Sequence, residues 1–497
     1  MPAGRPHSRV ENVGGGPGSV FSGGPSGGFG GGGGGRPGMT RAGGLGILGT
    51  IFVIIMGVLG SCLGFGGDST VVTPGSYSTY SNNSSYSNTD ENAVDTLVDG
   101  AARSKFTTLK GNGQDKVTLM LYLIGSDLES QSGMATSDLN EILHADLTNE
   151  NLNIIVQTGG TKRWANNVMS SRNIERWQAT SRGLSRMDTL RSADMTKPEV
   201  LSSFIQYAAK AAPADRYMLI LWDHGGGSVT GYGRDELYPN GTMDTAEVAK
   251  ALKAGGVKFD FVGFDACLMA TLENAMALEP YADYLIASEE SEPGTGWYYT
   301  NWLTSLANNT SIPTTEIGKQ IIDDYTAASK QAAGRQQVQT TLSLVDLAEF
   351  DHLVPAALRE FSKTVTASVK SDDYMTVAKA RSVTKEFSQQ NKLDQIDLAH
   401  FCSNFNSKEA KALQDAILSC VKYNRTENIK NSYGLSIYFP YRAINKVSAI
   451  TGIYDRIGMD SEYASAGRSF ATLQSSGQAV SQNTTNSFFD ILGGAPV

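Results

Sequence analysis

The sequence predicts an α/β protein with a mainly parallel central sheet that is flanked by helices. Short apolar runs at 117–124, 152–157 and 216–222 have the composition of buried strands, and amphipathic patterns such as 197–212 separate them. Strands that alternate with helices in this way pair in parallel through right-handed crossovers. Ligands of such sheets bind beyond the carboxyl ends of the strands, so the residues at those ends are the candidates for a functional site.

The N-terminal part of the chain predicts a tail and a membrane anchor. Residues 1–43 are basic and rich in glycine, which indicates a disordered cytoplasmic tail. Residues 45–65 contain no charged side chain and would span about 30 Å as a helix, which matches the core of a bilayer. We therefore predict a transmembrane signal-anchor at 44–66, and its basic flank predicts a cytoplasmic N-terminus.

Two other interpretations of this apolar segment stay open. One is a cleaved signal peptide, for which the leader is long, and the other is a lipoprotein acylated at Cys62. Beyond it we predict a flexible polar spacer at 67–114, a folded domain at 115–472 and a polar tail at 473–497. This order predicts a single-pass protein of the cell membrane whose C-terminal domain is extracytoplasmic, on a bacterial cell surface.

Charge and cysteine usage exclude several classes of protein. The 497 residues carry a net charge of -9 with an isoelectric point near 5.2, which argues against nucleic acid as a partner and suits a basic substrate. The four cysteines are too few and too scattered for a disulfide framework. None of them forms a CxxC pair, so we predict no structural metal site.

Side chains capable of chemistry stand where the predicted strands end. His224 follows one apolar strand and Cys267 follows the next, while Asp127 and Asp265 hold similar positions. If the strands are parallel neighbours, an imidazole and a thiol meet at one edge of the sheet, as a cysteine nucleophile requires. Three glycines at 225–227 allow close approach of the backbone to a ligand, and their N–H groups are candidates for an oxyanion hole.

Cys267 differs from the other cysteines of the folded part. It lies at a predicted strand-to-helix junction, where a helix N-terminus favours the thiolate. A His-Gly-Gly-Gly motif also occurs in serine esterases, but no Gly-x-Ser-x-Gly elbow follows a predicted strand here. The remaining thiols of the folded part are interpreted as buried and inert, and the other histidines in helical segments as non-catalytic: Cys402, Cys420, His144, His352 and His400.

Four motifs together resemble the clostripain family of cysteine peptidases. They are WDHGGG at 222–227, FDACLMA at 264–270, SEESEPGTGW at 288–297 and GLSIYFP at 434–440, and the likeness covers about 115–470. The resemblance implies a caspase-like α/β sandwich and cleavage of protein or peptide substrates after Arg or Lys.

The same resemblance implies a role for each site residue. Cys267 is then the nucleophile, His224 protonates the leaving amine, and the N–H groups of Gly225 and Cys267 hold the oxyanion. Asp265 would form the floor of the pocket for the P1 side chain, because a desolvated guanidinium or ammonium needs an ionic partner. Glu289 and Glu290, with Glu292, are weaker candidates for this pocket, and the alternative is a solvated acidic loop.

Relatives in this family are often matured by self-cleavage between the histidine and the cysteine. Arg234 lies in a loop predicted to be exposed (228–243) and is the candidate cleavage site. No cofactor is required by this chemistry, and calcium is left open because no loop has convincing ligand spacing. Two other functions stay open: a non-catalytic surface binding or adhesion domain on the same fold, and a self-processing protease that acts on a single partner.

Overall fold

A computed structural model describes residues 93–371, 373–442 and 444–475. The predicted glycine-rich tail (1–43), the predicted anchor (44–66), the first part of the predicted spacer and the chain from 476 onward lie outside these residues. Among the helices in these ranges, none has both the length and the apolar composition needed to cross a membrane.

The described strands form one large sheet and one small sheet. Their bounds are β1 (Val117–Ile124), β2 (Leu152–Gly159), β3 (Asn173–Thr180), β4 (Gly183–Arg191), β5 (Arg216–Trp222), β6 (Phe259–Asp265), β7 (Ala282–Ala287), β8 (Thr340–Asp346), β9 (Gln395–Asp397), β10 (Val421–Glu427) and β11 (Ser436–Tyr438). The large sheet has the order β10-β8-β7-β6-β5-β1-β2-β3-β4, and β9 pairs with β11 in the small one.

The centre of the large sheet is parallel, as predicted. The neighbours β2, β1, β5, β6 and β7 all pair in parallel. Antiparallel strands extend both sides: β3 and β4 beyond β2, and β8 and β10 beyond β7. The five parallel strands therefore deliver their carboxyl ends to one edge of the sheet, which is where ligands of such sheets bind.

Helices cover both faces of the sheet. Their bounds are α1 (Ser126–Ser132), α2 (Met134–His144), α3 (Pro198–Ala211), α4 (Gly227–Thr230), α5 (Thr245–Gly255), α6 (Leu272–Leu278), α7 (Tyr299–Asn308), α8 (Thr314–Ala333), α9 (Leu347–Lys370), α10 (Tyr374–Val383), α11 (Leu398–Ser403), α12 (Lys408–Cys420), α13 (Val447–Ile457) and α14 (Ser461–Ser475).

Alternation along the strands produces a separate core on each face. In β5, Met218 and Ile220 pack with α2, α7 and α8, whereas Leu219 and Leu221 pack with α3, α5 and α6 on the other face. Successive residues of a strand point to opposite faces, so a strand that is apolar at every position can fill both cores. This explains the continuous apolar runs in the sequence.

The boundaries of the folded domain need correction. The spacer predicted for 67–114 is not free after residue 93, because Arg103 contacts Glu279 and Asp283, and Lys105 contacts Asp346. At the other end, α14 continues to Ser475, into the region predicted as a tail. The predicted start near 115 was wrong because charged side chains, which carry no hydrophobic pattern, attach this segment to the domain.

Candidate active site

The two predicted strand ends lie side by side. Trp222 of β5 is paired with Asp265 of β6, and His224 and Cys267 each follow two residues beyond that pair. The backbone contact continues past the strands, because a Cβ atom added to Gly225 would lie 2.1 Å from the carbonyl oxygen of Cys267. The turn that carries His224 (residues 224–227, the histidine turn) therefore touches the turn that carries Cys267 (residues 266–270, the cysteine turn) directly, and only glycine leaves room for that contact.

Asp127 holds the imidazole from the next strand. It follows β1, which is the other neighbour of β5, and its Oδ1 lies 3.0 Å from Nε2 of His224. Burial by itself raises the pKa of Asp127, but the hydrogen bond and charge of His224 outweigh it and lower this pKa. Burial by itself lowers the pKa of His224, and the bond to Asp127 reverses the effect and raises it. The imidazole is therefore oriented through Nε2, and no hydrogen bond to its Nδ1 is found among the described residues.

The surroundings of Cys267 favour its protonated thiol. Burial raises its pKa to about 12, with a further contribution from the negative charge of Glu292. Its sulfur accepts a hydrogen bond of 3.2 Å from the backbone N–H of Glu292. The predicted help from a helix N-terminus is absent, because α6 begins at Leu272 and its cap is Thr271 rather than the cysteine turn. That part of the prediction was wrong.

The backbone N–H groups proposed for the oxyanion hole stand at the contact between the two turns. Within the described ranges, no other residue accepts a hydrogen bond from the backbone N–H of Gly225 or of Cys267. The neighbouring segment at 231–233 pairs with the residues on either side of Gly225 instead. Gly226 donates its N–H to the carbonyl oxygen of Gly231, and the carbonyl oxygen of His224 accepts from the N–H of Gly233. Both donors are thus free to bind a ligand oxygen at this edge.

A cluster of buried acidic side chains lies next to the cysteine turn. Asp265 accepts hydrogen bonds from the N–H of Trp297 (3.2 Å to Oδ2) and from the hydroxyl of Tyr299 (2.8 Å), and burial raises its pKa to about 6. Burial, followed by the charge of Asp265, raises the pKa of Glu292 and of Asp138 well above their usual range. Trp222 donates to Asp138 through its indole N–H (2.6 Å).

The carboxyl groups of this cluster have no partner cation among the described residues. Asp138, Asp265 and Glu292 are all buried, and none of them forms an ion pair with a Lys or Arg of the described part of the chain. The Glu292 oxygens also have no hydrogen-bond donor at good geometry there. The charged form of a buried carboxyl without counter-charge is costly, which is why the pKa of each of these three groups is raised.

Glu289 and Glu290 do not join this acidic cluster. Glu289 is buried and accepts hydrogen bonds from Ser432 (2.5 Å) and from the N–H of Gly434 (2.9 Å). Glu290 accepts from the N–H of Ser388 (3.0 Å) and lies beside Lys385. Both therefore attach their loop to later parts of the chain, and of the three acids predicted as a cluster only Glu292 contacts Asp265.

The loop that carries Arg234 is packed rather than exposed, contrary to prediction. The N–H of Arg234 donates to Asp223, and its guanidinium is 3.5 Å from Asp127. The next residue, Asp235, is buried and accepts from the N–H groups of Met195 and Leu237. The exposed tip at 238–240 contains no Lys or Arg. The sequence did not indicate this packing, because the glycines of the segment are equally typical of exposed loops.

Two members of the site were missed from sequence. Asp138 lies among Ala135, Leu139 and Ile142 on the buried stripe of α2, and an acid within an apolar helical pattern was the available signal. Gln395 contacts both turns from a distant strand, and nothing in the neighbouring sequence indicates that it belongs to the site.

No group of metal-ligating side chains suited to an ion is found within the described ranges, and calcium dependence stays open.

By fold and site, this is a protein of the cysteine peptidase class, with a thiol and an imidazole at the carboxyl ends of adjacent parallel strands. The clostripain family model matches residues 121–464. The chain belongs to that family.

Known relatives are similar in sequence or in fold. Clostripain of Hathewaya histolytica is 27% identical over 220 residues, which are 38% of this chain and 41% of that protein. The chain thus spans less than half the length of this relative. An inactive zymogen C11 protease from Parabacteroides distasonis has a TM-score of 0.53, with 20% identity over 69% of this chain and 98% of that one.

A second solved structure supports the same architecture. A secreted C11 cysteine protease from Bacteroides thetaiotaomicron, in complex with an irreversible peptide inhibitor, has a TM-score of 0.52. The identity is 18%, and the match covers 69% of this chain and 99% of that one. At these identities the likeness confirms the predicted α/β fold with helices on both faces of its sheet.

Proposed function

We propose that this protein is a cysteine endopeptidase that cleaves protein or peptide chains after Arg or Lys. The observation that carries the proposal is the group of three buried carboxyls without a cation, next to the cysteine turn. A P1 guanidinium or ammonium would supply the missing charge. Asp265 and Glu292 are its proposed partners, and Glu289 and Glu290 are not, because their carboxylates are bound elsewhere.

The reaction would pass through an acyl-thioester. The sulfur of Cys267 attacks the carbonyl carbon, and the N–H groups of Gly225 and Cys267 stabilise the oxyanion. His224 receives the thiol proton and passes it to the leaving amine, so the C–N bond breaks without release of an amide anion. Water then hydrolyses the thioester and regenerates the thiol. Asp127 keeps the imidazole in one tautomer throughout.

Binding of the correct P1 side chain would also activate the nucleophile. The charge of Glu292 contributes to the raised pKa of Cys267. A cation held beside Asp265 and Glu292 brings positive charge near the sulfur, which favours the thiolate and lowers the pKa of the thiol. Substrate recognition and formation of the thiolate are thereby coupled.

Alkylation of Cys267 by iodoacetamide tests this coupling. We expect slow alkylation of the free protein near neutral pH, and a rate about tenfold higher with saturating argininamide, which corresponds to one pKa unit. Peptide mapping separates Cys267 from Cys62, Cys402 and Cys420. Citrullinamide, which has the same shape without the charge, serves as the control and should leave the rate unchanged. Equal rates with both amides would contradict the coupling.

For Arg234 we propose a role at the site in place of self-cleavage. Its guanidinium balances the charge of Asp127, and the backbone is bound on both sides of the Arg234–Asp235 peptide bond: the N–H of Arg234 donates to Asp223 and the N–H of Glu236 donates to Gly160. A peptide bond must be extended and accessible to enter a protease, so cleavage after Arg234 would first require this loop to unfold. We expect mass spectrometry of the active protein to show an intact Arg234–Asp235 bond. A cut after Arg234 would contradict the proposed role.

The predicted anchor at 45–65 would hold the enzyme at the outer surface of a cell membrane. The proposal rests on the sequence of that segment and agrees with the secreted relative from Bacteroides thetaiotaomicron. Extraction of the full chain only by detergent would support it. Loss of membrane association after replacement of Cys62 would indicate the lipoprotein alternative instead.

A panel of reporter peptides tests the enzyme and its specificity together. The full-length protein is assayed on one peptide with Arg, Lys, citrulline or Asp at P1, beside Cys267→Ala. We expect turnover of Arg or Lys peptides to exceed that of citrulline by at least about 10²-fold, since a desolvated ion pair is at stake. Citrulline cleaved as fast as Arg would refute the P1 assignment. If no peptide shows turnover dependent on Cys267, the adhesion domain becomes the better function.

A further inference from the structure

We infer that Gln395 is a positioning residue that holds the histidine turn and the cysteine turn in register. The inference rests on the proposed function for its catalytic consequence, but its geometry is independent of it. Gln395 opens β9, is fully buried, and pairs with Tyr438 of β11. It is more than a hundred residues from either turn in sequence and reaches both with its side chain.

The amide nitrogen fixes the cysteine turn. Nε2 of Gln395 donates to the carbonyl oxygen of Leu268 (2.9 Å) and to the hydroxyl of Ser436 (2.9 Å). Leu268 directly follows Cys267 and has a φ of 70°, a left-handed conformation that is strained for a residue with a Cβ atom. Such a conformation persists only when the surroundings hold it, and the hydrogen bond from Gln395 is one of those that do.

Ser436 extends the same clamp. Its hydroxyl donates to the carbonyl oxygen of Ala270 (2.7 Å), and its backbone N–H donates to the same oxygen (2.9 Å). Gln395 and Ser436 thus bind the cysteine turn at Leu268 and at Ala270, on both sides of its bend. This gives a physical role to the GLSIYFP motif, which contains Ser436.

The amide oxygen faces the histidine turn. A Cβ atom added to Gly227 would lie 1.8 Å from Oε1 of Gln395, and Gly227 has a φ of 59°. The Oε1 atom has no hydrogen-bond donor within the described ranges. A buried amide oxygen without a donor destabilises a fold, so an apolar side chain would suit stability better at this position. The presence of an amide at position 395 is therefore explained by its contacts with the two turns rather than by stability.

The test compares Gln395→Met with Gln157→Met in the full-length protein. Methionine has nearly the same shape but no N–H donor. Gln157 is equally buried, in β2 and away from the two turns, and is the matched control. We expect Gln395→Met to lower kcat for the Arg peptide about 10- to 30-fold with KM within about twofold, because misplaced reacting groups lower the rate of the chemical step. Gln157→Met should retain kcat.

Two further measurements keep the test decisive. In Gln395→Glu the carboxyl can donate only when protonated, so kcat should fall as pH rises through its ionisation, whereas Gln157→Glu should show no such step.

Alkylation of Cys267 by iodoacetamide should be at least about fivefold faster in Gln395→Met, since release of the turn exposes the thiol. This second readout separates the two proposals, because it needs no peptidase activity. Unchanged kcat and unchanged alkylation, or equal losses in the control, would overturn the inference.

Discussion

Replacement of His224 by alanine is expected to lower kcat for the arginine peptide by about 10³- to 10⁴-fold, the upper range for loss of a general acid–base. The reason is that the leaving amine then lacks a proton donor at the contact between the two turns. KM should change little, because the proposed P1 partners, Asp265 and Glu292, interact with each other and with Trp297 rather than with His224. Steady-state kinetics on the full-length protein measures both constants.

Controls for this result are available within the chain. His352→Ala removes an exposed histidine of α9 and should leave kcat unchanged. Asp127→Asn should cost less than His224→Ala, about 10- to 10²-fold, because the imidazole remains but loses its orientation. Because Asp127 raises the pKa of His224, which must be neutral to receive the thiol proton, its loss should also move the acidic limb of the kcat profile to lower pH. A His224→Ala enzyme within tenfold of the wild type would rule out the assigned role.

The parts of the site that could be predicted are those that follow from strand direction. Each strand was marked by an apolar run, and parallel strands place their carboxyl ends together whatever their order. His224, Cys267 and Asp265 were therefore predictable as neighbours once β5 and β6 were assigned as strands, and their pairing confirms that adjacency. The roles of these residues in a reaction stay predictions.

The parts that could not be predicted depend on contacts between distant segments. The φ of Leu268 is held by Gln395, and the sulfur of Cys267 is covered by the backbone of Glu292. Neither contact leaves a periodic trace in sequence. Hydrophobic pattern reports which face of an element is buried, but not which polar atoms meet beneath it. The raised thiol pKa has the same origin, since burial and a neighbouring carboxyl cause it.

Exchange of Asp265 for asparagine should abolish most of the preference for a basic P1 residue. A buried charge left without its partner costs about 3–5 kcal/mol. At about 1.4 kcal/mol for each factor of ten, kcat/KM for the arginine peptide should fall by about 10²-fold to about 4 × 10³-fold. Turnover of the citrulline peptide should stay nearly constant, because citrulline brings no charge. The ratio of the two constants therefore isolates the electrostatic contribution from any general damage to the site.

The pH dependence provides an independent check on Asp265. Burial raises its pKa from 3.8 to about 6, so the carboxyl of the free enzyme is largely protonated below that pH and must lose its proton to bind a cation. Wild-type kcat/KM for arginine should therefore rise through pH 6, and the asparagine variant should lack that step.

Stability should change in the opposite sense. A carboxyl with a raised folded pKa destabilises the fold as pH rises from its unfolded value of 3.8 through about 6. The Tm of the wild type should thus fall relative to that of Asp265→Asn over this range.

The matched control for the specificity prediction is Asp324→Asn, which removes a partly buried carboxyl of α8 that is bound to Asn301. An Arg-to-citrulline ratio that Asp265→Asn leaves within about threefold of the wild type would exclude Asp265 from the P1 pocket, because a desolvated charge pair is worth far more than that.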